Sequence, residues 1–241
     1  MKYIIYSLAR CGSTTLVNCL NAVTPGCCIN EPFREPQASG GRTYDDIYKA
    51  ISELLALHQG FKHVWHPNGW PFTGQIEHNR AILLWPETKV VFLTRKNILR
   101  RVLSEQIAKQ TQIWHVGSEE AKAVRDAAVL RPVSRSIVAK HLAHEREIVN
   151  RFKECLSHSG KPWIDVEYET LYSADSSSPS FGGLRRALRF LEFSSSQIAQ
   201  ACEAAESGFM APSTELYHMV PNIQDIECEF GNSDTGYAFK N

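Results

Sequence analysis

The segment that most constrains this chain is Tyr3-Ile4-Ile5-Tyr6-Ser7-Leu8-Ala9-Arg10-Cys11-Gly12-Ser13-Thr14-Thr15-Leu16. It reads as an apolar strand, a short loop of small and hydroxylated residues, and the start of a helix. Such a loop leaves backbone N–H groups unpaired at the positive end of the helix dipole, where a phosphate or similar anion binds. Gly12 lets the backbone come close to the anion. Ser13, Thr14 and Thr15 add hydroxyl donors, and Arg10 adds a fixed positive charge. The plain alternative is an ordinary strand-to-helix turn capped by Ser13. No second Gly-Lys-Ser/Thr follows, so the loop lacks the lysine and magnesium-binding hydroxyl of a Walker loop. With one glycine it is not a dinucleotide fingerprint either.

A second segment has the same form. Lys89-Val90-Val91-Phe92-Leu93-Thr94 is a short apolar run expected to be a buried strand. Arg95, Lys96 and the candidate N-cap Asn97 follow, and then Leu99, Val102, Leu103 and Ile107 recur at helical spacing. Two cations at a strand end, with Ser104 about two turns into the helix, suit a second phosphate. The plain alternative is a basic helix start with solvated Arg100 and Arg101.

Together the two segments resemble the PAPS-dependent sulfotransferases, and the Arg-x-Gly-Ser-Thr form of the loop looks most like the carbohydrate-type and bacterial members. Shorter matches follow in the expected order: Asn30-Glu31-Pro32-Phe33, Phe61-Lys62-His63, Val166-Glu167-Tyr168-Glu169-Thr170-Leu171 and Val220-Pro221-Asn222. The resemblance implies an α/β fold of three layers, P-loop-like, with a central mostly parallel sheet flanked by helices. It implies that Arg10, Cys11, Gly12, Ser13, Thr14 and Thr15 hold the 5′-phosphosulfate, and that Arg95 and Ser104 hold the 3′-phosphate. Lys96 stands eight positions before Ser104, the usual family spacing, and Arg95 stands nine. Either cation suits; Arg95 is preferred because its planar fork holds two oxygens at once. Tyr168 and Glu169 are expected on the adenine side.

Sulfuryl transfer, like phosphoryl transfer, relies on positioning and charge stabilisation, and it needs a base for the acceptor's proton. Glu31 is the first candidate for that base, by resemblance to carbohydrate-type members, with Glu35 and His66 as rivals. Lys62 is expected to assist at the sulfate. Adjacent strand residues point to opposite faces, so Lys62 and His63 cannot both face one site without a bend. The catalytic expectation is therefore Glu31, Arg10 and Lys62, with PAPS as donor and a small molecule or saccharide as acceptor. The pairs His63/His66 and His141/His144 lack a partnered third ligand, so no metal is expected. Trp65, Trp70, Trp85 and Trp114 suit core packing better than an acceptor pocket. Two other classes stay open: a P-loop-like nucleotide kinase or NTPase, and a non-catalytic relative that binds a nucleotide.

The 26 basic and 26 acidic residues balance, which gives no general drive toward nucleic acid or anionic membranes. Seven irregularly spaced cysteines without a Cys-x-x-Cys pair argue against a disulfide framework and a zinc ribbon, and for reduced thiols. No run approaches membrane-spanning length, so a cytoplasmic protein is expected.

The 241 residues are read as one domain, 1–241. The expected order is a strand over Lys2 to Leu8, a helix over Ser13 to Asn21, and a loop from Cys27 to Thr43. A helix then carries Ile47, Ile51, Leu54 and Leu55, followed by a strand from Phe61 to Trp65 and a short helix before the Lys89 strand. Further helices are expected over Glu119 to Leu130 and Pro132 to His158, the second with a polar break at Glu145. A last strand covers Trp163 to Glu167, and Leu184, Leu188 and Leu191 mark another helix. A polar loop spans Ser173 to Ser180, and the tail from Pro212 shows little periodicity.

Overall fold

A computed structural model describes residues 1–34, 43–72, 75–115, 118–172, 181–208 and 215–239. Its strands are β1 (Lys2–Leu8), β2 (Cys28–Asn30), β3 (Gly60–Trp65), β4 (Thr88–Thr94) and β5 (Trp163–Glu167). The helices are α1 (Ser13–Val23), α2 (Tyr44–Leu57), α3 (Ile76–Leu83), α4 (Ile98–Thr111), α5 (Glu119–Asp126), α6 (Arg135–His158), α7 (Tyr168–Leu171), α8 (Gly182–Phe190), α9 (Ser195–Gly208), α10 (Glu215–His218) and α11 (Ile223–Phe230). The fold is the expected α/β arrangement, with a five-stranded, all-parallel sheet in the order β2-β3-β1-β4-β5 between helices. The chain divides into two compact units, Met1–Thr94 with Ile148–Ser207, and Arg95–Glu147 with Gly208–Asn241.

The first unit holds the sheet. β1 lies at its centre and is buried from Ile4 to Leu8 on both faces, which explains why its sequence is apolar without alternation. The register Ile5↔Lys62 and Ser7↔Val64 puts Lys62 on one face, where α1 lies. The register Tyr6↔His63 and Tyr6↔Phe92 puts His63 on the other. There Phe152, in the second half of α6, packs edge-on against Tyr6 and Trp65 at 5.6 and 4.6 Å. The segment leaving β1 and the segment returning to β5 thus use opposite faces of the sheet. In open parallel sheets such a reversal is the usual place for a ligand, outside the C-terminal ends of the strands.

Several elements differ from the sequence reading. β2 lies inside the expected loop; it is a three-residue edge strand, paired as Cys28↔Gly60, Ile29↔Phe61 and Asn30↔Lys62, too short to show a period. α5 ends at Asp126 rather than near Leu130 and buries none of its residues. The tail beyond Pro212 contains α10 and α11; their apolar residues Leu216, Tyr217, Ile223 and Ile226, with Val220 between the two helices, join Leu99, Val102, Leu103 and Ile107 in the core of the second unit.

Arg101 is not solvated. Its side chain is 1% exposed and meets Glu145 at 2.6 Å and Glu105 at 2.7 Å. The polar break at Glu145 in α6 is the partner of that guanidinium. Arginine only donates, so His141 Nδ1, 3.2 Å from Arg101 Nη2, accepts and its ring is neutral there. Burial pushes the Glu145 carboxyl upward, and Arg101 and then Arg95 pull it back. Among the described residues no helix is long and apolar enough to cross a membrane.

His63 is fully buried, and its Nε2 lies 2.6 Å from Asn79 Oδ1. The Asn79 amide nitrogen donates to the carbonyls of Gly69 and Trp70, so Oδ1 is the acceptor and His63 Nε2 carries the proton of a neutral ring. Burial pushes its pKa from 6.5 down to about 4, and the Asn79 bond offsets this only in part. Between those values the unfolded chain binds the proton and the folded chain does not. Stability is therefore full above pH 6.5 and falls as the pH drops toward 4, by about 3 kcal/mol in total. Urea unfolding at pH 7, 5.5 and 4 should show this loss, and His63→Gln, which does not titrate, should remove most of it.

Candidate functional site

The loop after β1 is wound by two left-handed residues, Arg10 at φ 68° and Gly12 at φ 79°. Gly12 is the N-cap of α1 and Ser13 begins the helix with no side-chain cap, so the alternative of a plain turn capped by Ser13 is not what forms. A left-handed residue followed by a helical one aims successive N–H groups at a common point, the arrangement that holds an oxyanion. Leu16 N–H already bonds to Gly12 O, which leaves the amides of the first turn for a ligand. Cys11 is fully buried, and its thiol lies 3.9 Å from the Ala9 carbonyl. Ser13 is buried, and Thr14 and Thr15 are half-buried.

Glycine at position 12 answers a second demand that the sequence did not reveal. A Cβ there would stand 2.8 Å from the Tyr168 ring and 2.9 Å from the Tyr172 ring. The Tyr172 hydroxyl donates to Gly12 O at 2.9 Å. Tyr168 and Tyr172, from the segment after β5, therefore support the loop from below. Burial raises the Tyr172 hydroxyl's pKa well above its ordinary value.

Glu31, Lys62 and Thr14 come together at the first turn of α1. Lys62 Nζ lies 2.6 Å from Glu31 Oε1 and donates to Thr14 Oγ1 at 2.8 Å. The lysine side chain is 1% exposed and the glutamate 17%. Burial lowers the Lys62 pKa, and Glu31 pulls it back up. Register places these groups together: β2 ends at Asn30 opposite Lys62 in the middle of β3, and Glu31 N–H bonds to Lys62 O. Glu31 itself adopts φ 48°, a left-handed backbone uncommon for a glutamate, which turns the chain sharply where β2 stops. His63, on the opposite face of β3, takes no part, and Glu35 lies outside the described residues.

Arg95 and Ser104 belong to the second unit. Both are buried there, at 8% and 4% exposure, and Lys96 is exposed. The expected N-cap at Asn97 forms: its side chain accepts from Arg100 N–H at 2.9 Å. The Asn97 amide also donates to Tyr237 O at 2.8 Å, Leu99 N–H donates to Thr235 O, and Arg100 Nε donates to Ala238 O. Gly236, at φ 84°, packs so close that a Cβ would fall 2.4 Å from the Asn97 side chain. The tail thus straps the start of α4, a role that its lack of periodicity concealed. Among the described residues no group of three metal-ligating side chains is assembled.

Comparison with protein-family models, curated proteins and solved structures returned no match. Gly12→Ala should therefore report directly on the loop. It meets both a left-handed backbone and two rings, and it should cost about 2 kcal/mol in urea unfolding. Tyr172→Phe, which loses one hydrogen bond, should cost about 1 kcal/mol.

Proposed function

We propose that this chain is a sulfotransferase that moves a sulfuryl group from PAPS to a hydroxyl or amine of a small-molecule or saccharide acceptor. The observation that carries this reading is the Glu31–Lys62–Thr14 chain at the first turn of α1, beside the Arg10–Gly12 loop at the C-terminal end of the central strand. It sets a carboxylate, a cation and a hydroxyl next to amides suited to an oxyanion. The absence of a Walker lysine and serine favours this reading over magnesium-dependent phosphoryl transfer.

In this reading Arg10 and the amides of the first turn hold the phosphosulfate and take up charge on the bridging oxygen as its bond to sulfur breaks. The acceptor oxygen forms the new bond to sulfur, and its proton passes to Glu31. Arg95 and Ser104 hold the 3′-phosphate. The seven free thiols suit a reducing, cytoplasmic setting.

Calorimetric titration with adenosine 3′,5′-bisphosphate, without magnesium, should give binding at least tenfold tighter than 5′-AMP. Arg10→Ala and Arg95→Ala should each weaken it by about ten- to a hundredfold. Glu31→Gln, whose amide oxygen still accepts from Lys62, should spare that affinity and lower transfer from labelled PAPS. Preference for magnesium-ATP would point instead to a nucleotide kinase, and binding without transfer to any acceptor would point to a non-catalytic relative.

A further inference from the structure

Lys62 is a cation with almost no access to solvent. Its ammonium spends one donor on Glu31 and one on Thr14, and Lys62 is Thr14's side-chain hydrogen-bond partner among the described residues. A lysine ammonium can only donate, so at this contact the threonine oxygen must accept. The hydroxyl proton of Thr14 is then excluded from the Lys62 direction. Thr14 is the second helical residue of α1, half-exposed, on the turn whose N–H groups have no helical partner. A hydroxyl rotor that in water would sample all staggered positions is in this way held as a donor for whatever the turn binds.

We propose that Lys62 is a positioning residue for the donor anion: anchored by Glu31, it fixes Thr14 as a hydrogen-bond donor toward the oxyanion held at the start of α1, and it does not itself touch the transferred group. This inference rests on the sulfotransferase reading and changes the part played by its lysine. The Glu31–Lys62 pair is neutral as a unit, so its contribution comes from orientation rather than from added positive charge. Arg10 remains the cation of the loop.

The test is the affinity for adenosine 3′,5′-bisphosphate of a set of variants. Thr14→Val should weaken binding about tenfold, and Thr14→Ser, which keeps the hydroxyl, should restore it. Removing both members of the ion pair, as Lys62→Met with Glu31→Gln, should weaken binding by the same factor without changing net charge at the site. Adding Thr14→Val to that pair should cost nothing more, because the three act as one unit. A direct lysine–anion contact would give the opposite pattern. Thr14→Val would then free the ammonium for the anion and leave affinity unchanged or improved, and the losses in the combined variant would multiply. Either result overturns the proposal. The Thr14 variants keep the test decisive even where the Lys62 and Glu31 pair fails to fold without its charges. Absence of 3′-phosphate-dependent binding by the wild-type protein would remove the sulfotransferase reading itself and this inference with it, a result distinct from normal binding with additive losses.

Discussion

Everything in the first unit follows from the burial of β1 on both faces and both edges. A strand with β3 and β4 as neighbours and helices above and below has no exit for polar groups except at its ends. At the C-terminal end the chain must turn at once into α1, and two left-handed residues in four achieve that turn. The same crowding draws Lys62 out of water, since it lies across β1 on the face that α1 covers. A desolvated ammonium is tolerated only with close partners, and the end of β2 supplies one of them in Glu31. The grouping of charge, hydroxyl and open amides is thus a consequence of sheet order as much as of side-chain choice.

The second unit meets a comparable demand differently. Its central helix, α4, is buried almost all round over Arg101 to Ala108, so a charged pair on that helix cannot reach solvent. Arg101 is answered by Glu105 one turn along and by Glu145 from α6, and Lys109 reaches back to the second oxygen of Glu105. Such an arrangement contributes little net stability compared with an apolar core, but one correct pairing satisfies it and many incorrect ones do not. It therefore fixes the rotation of α4 relative to the first half of α6.

Much of this was legible in the sequence where a pattern repeats. Tyr3 to Leu8 and Val90 to Leu93 are buried runs that only central strands tolerate, and the helix over Arg135–His158 lies within its expected span. The separation of Lys62 from His63 followed from strand geometry alone. What escaped depended on partners distant in sequence. β2 is three residues long and exists through its pairing with β3. Glu145 looked like an interruption because its meaning lies in Arg101, and Arg101 looked solvated for the same reason. Gly12 was read as an allowance for a ligand, although two tyrosines about 160 residues away also require it. Helices α10 and α11 are short, and each places only two residues in a core shared with α4 and α6, so neither shows a period of its own.

The strap over the start of α4 has a consequence for how the protein is made. The bond from Asn97 to Tyr237 closes a span of 140 residues. Emerging from the ribosome, the sheet can be completed once β5 has been synthesised. The start of α4, by contrast, must wait for Thr235, Tyr237 and Ala238 before the Leu99 N–H, the Asn97 amide and the Arg100 side chain find their partners. Contacts of such long range close slowly, because the intervening chain has to be ordered first. During synthesis the start of the helix that carries Ser104 is thus secured late, after the central strands have been made.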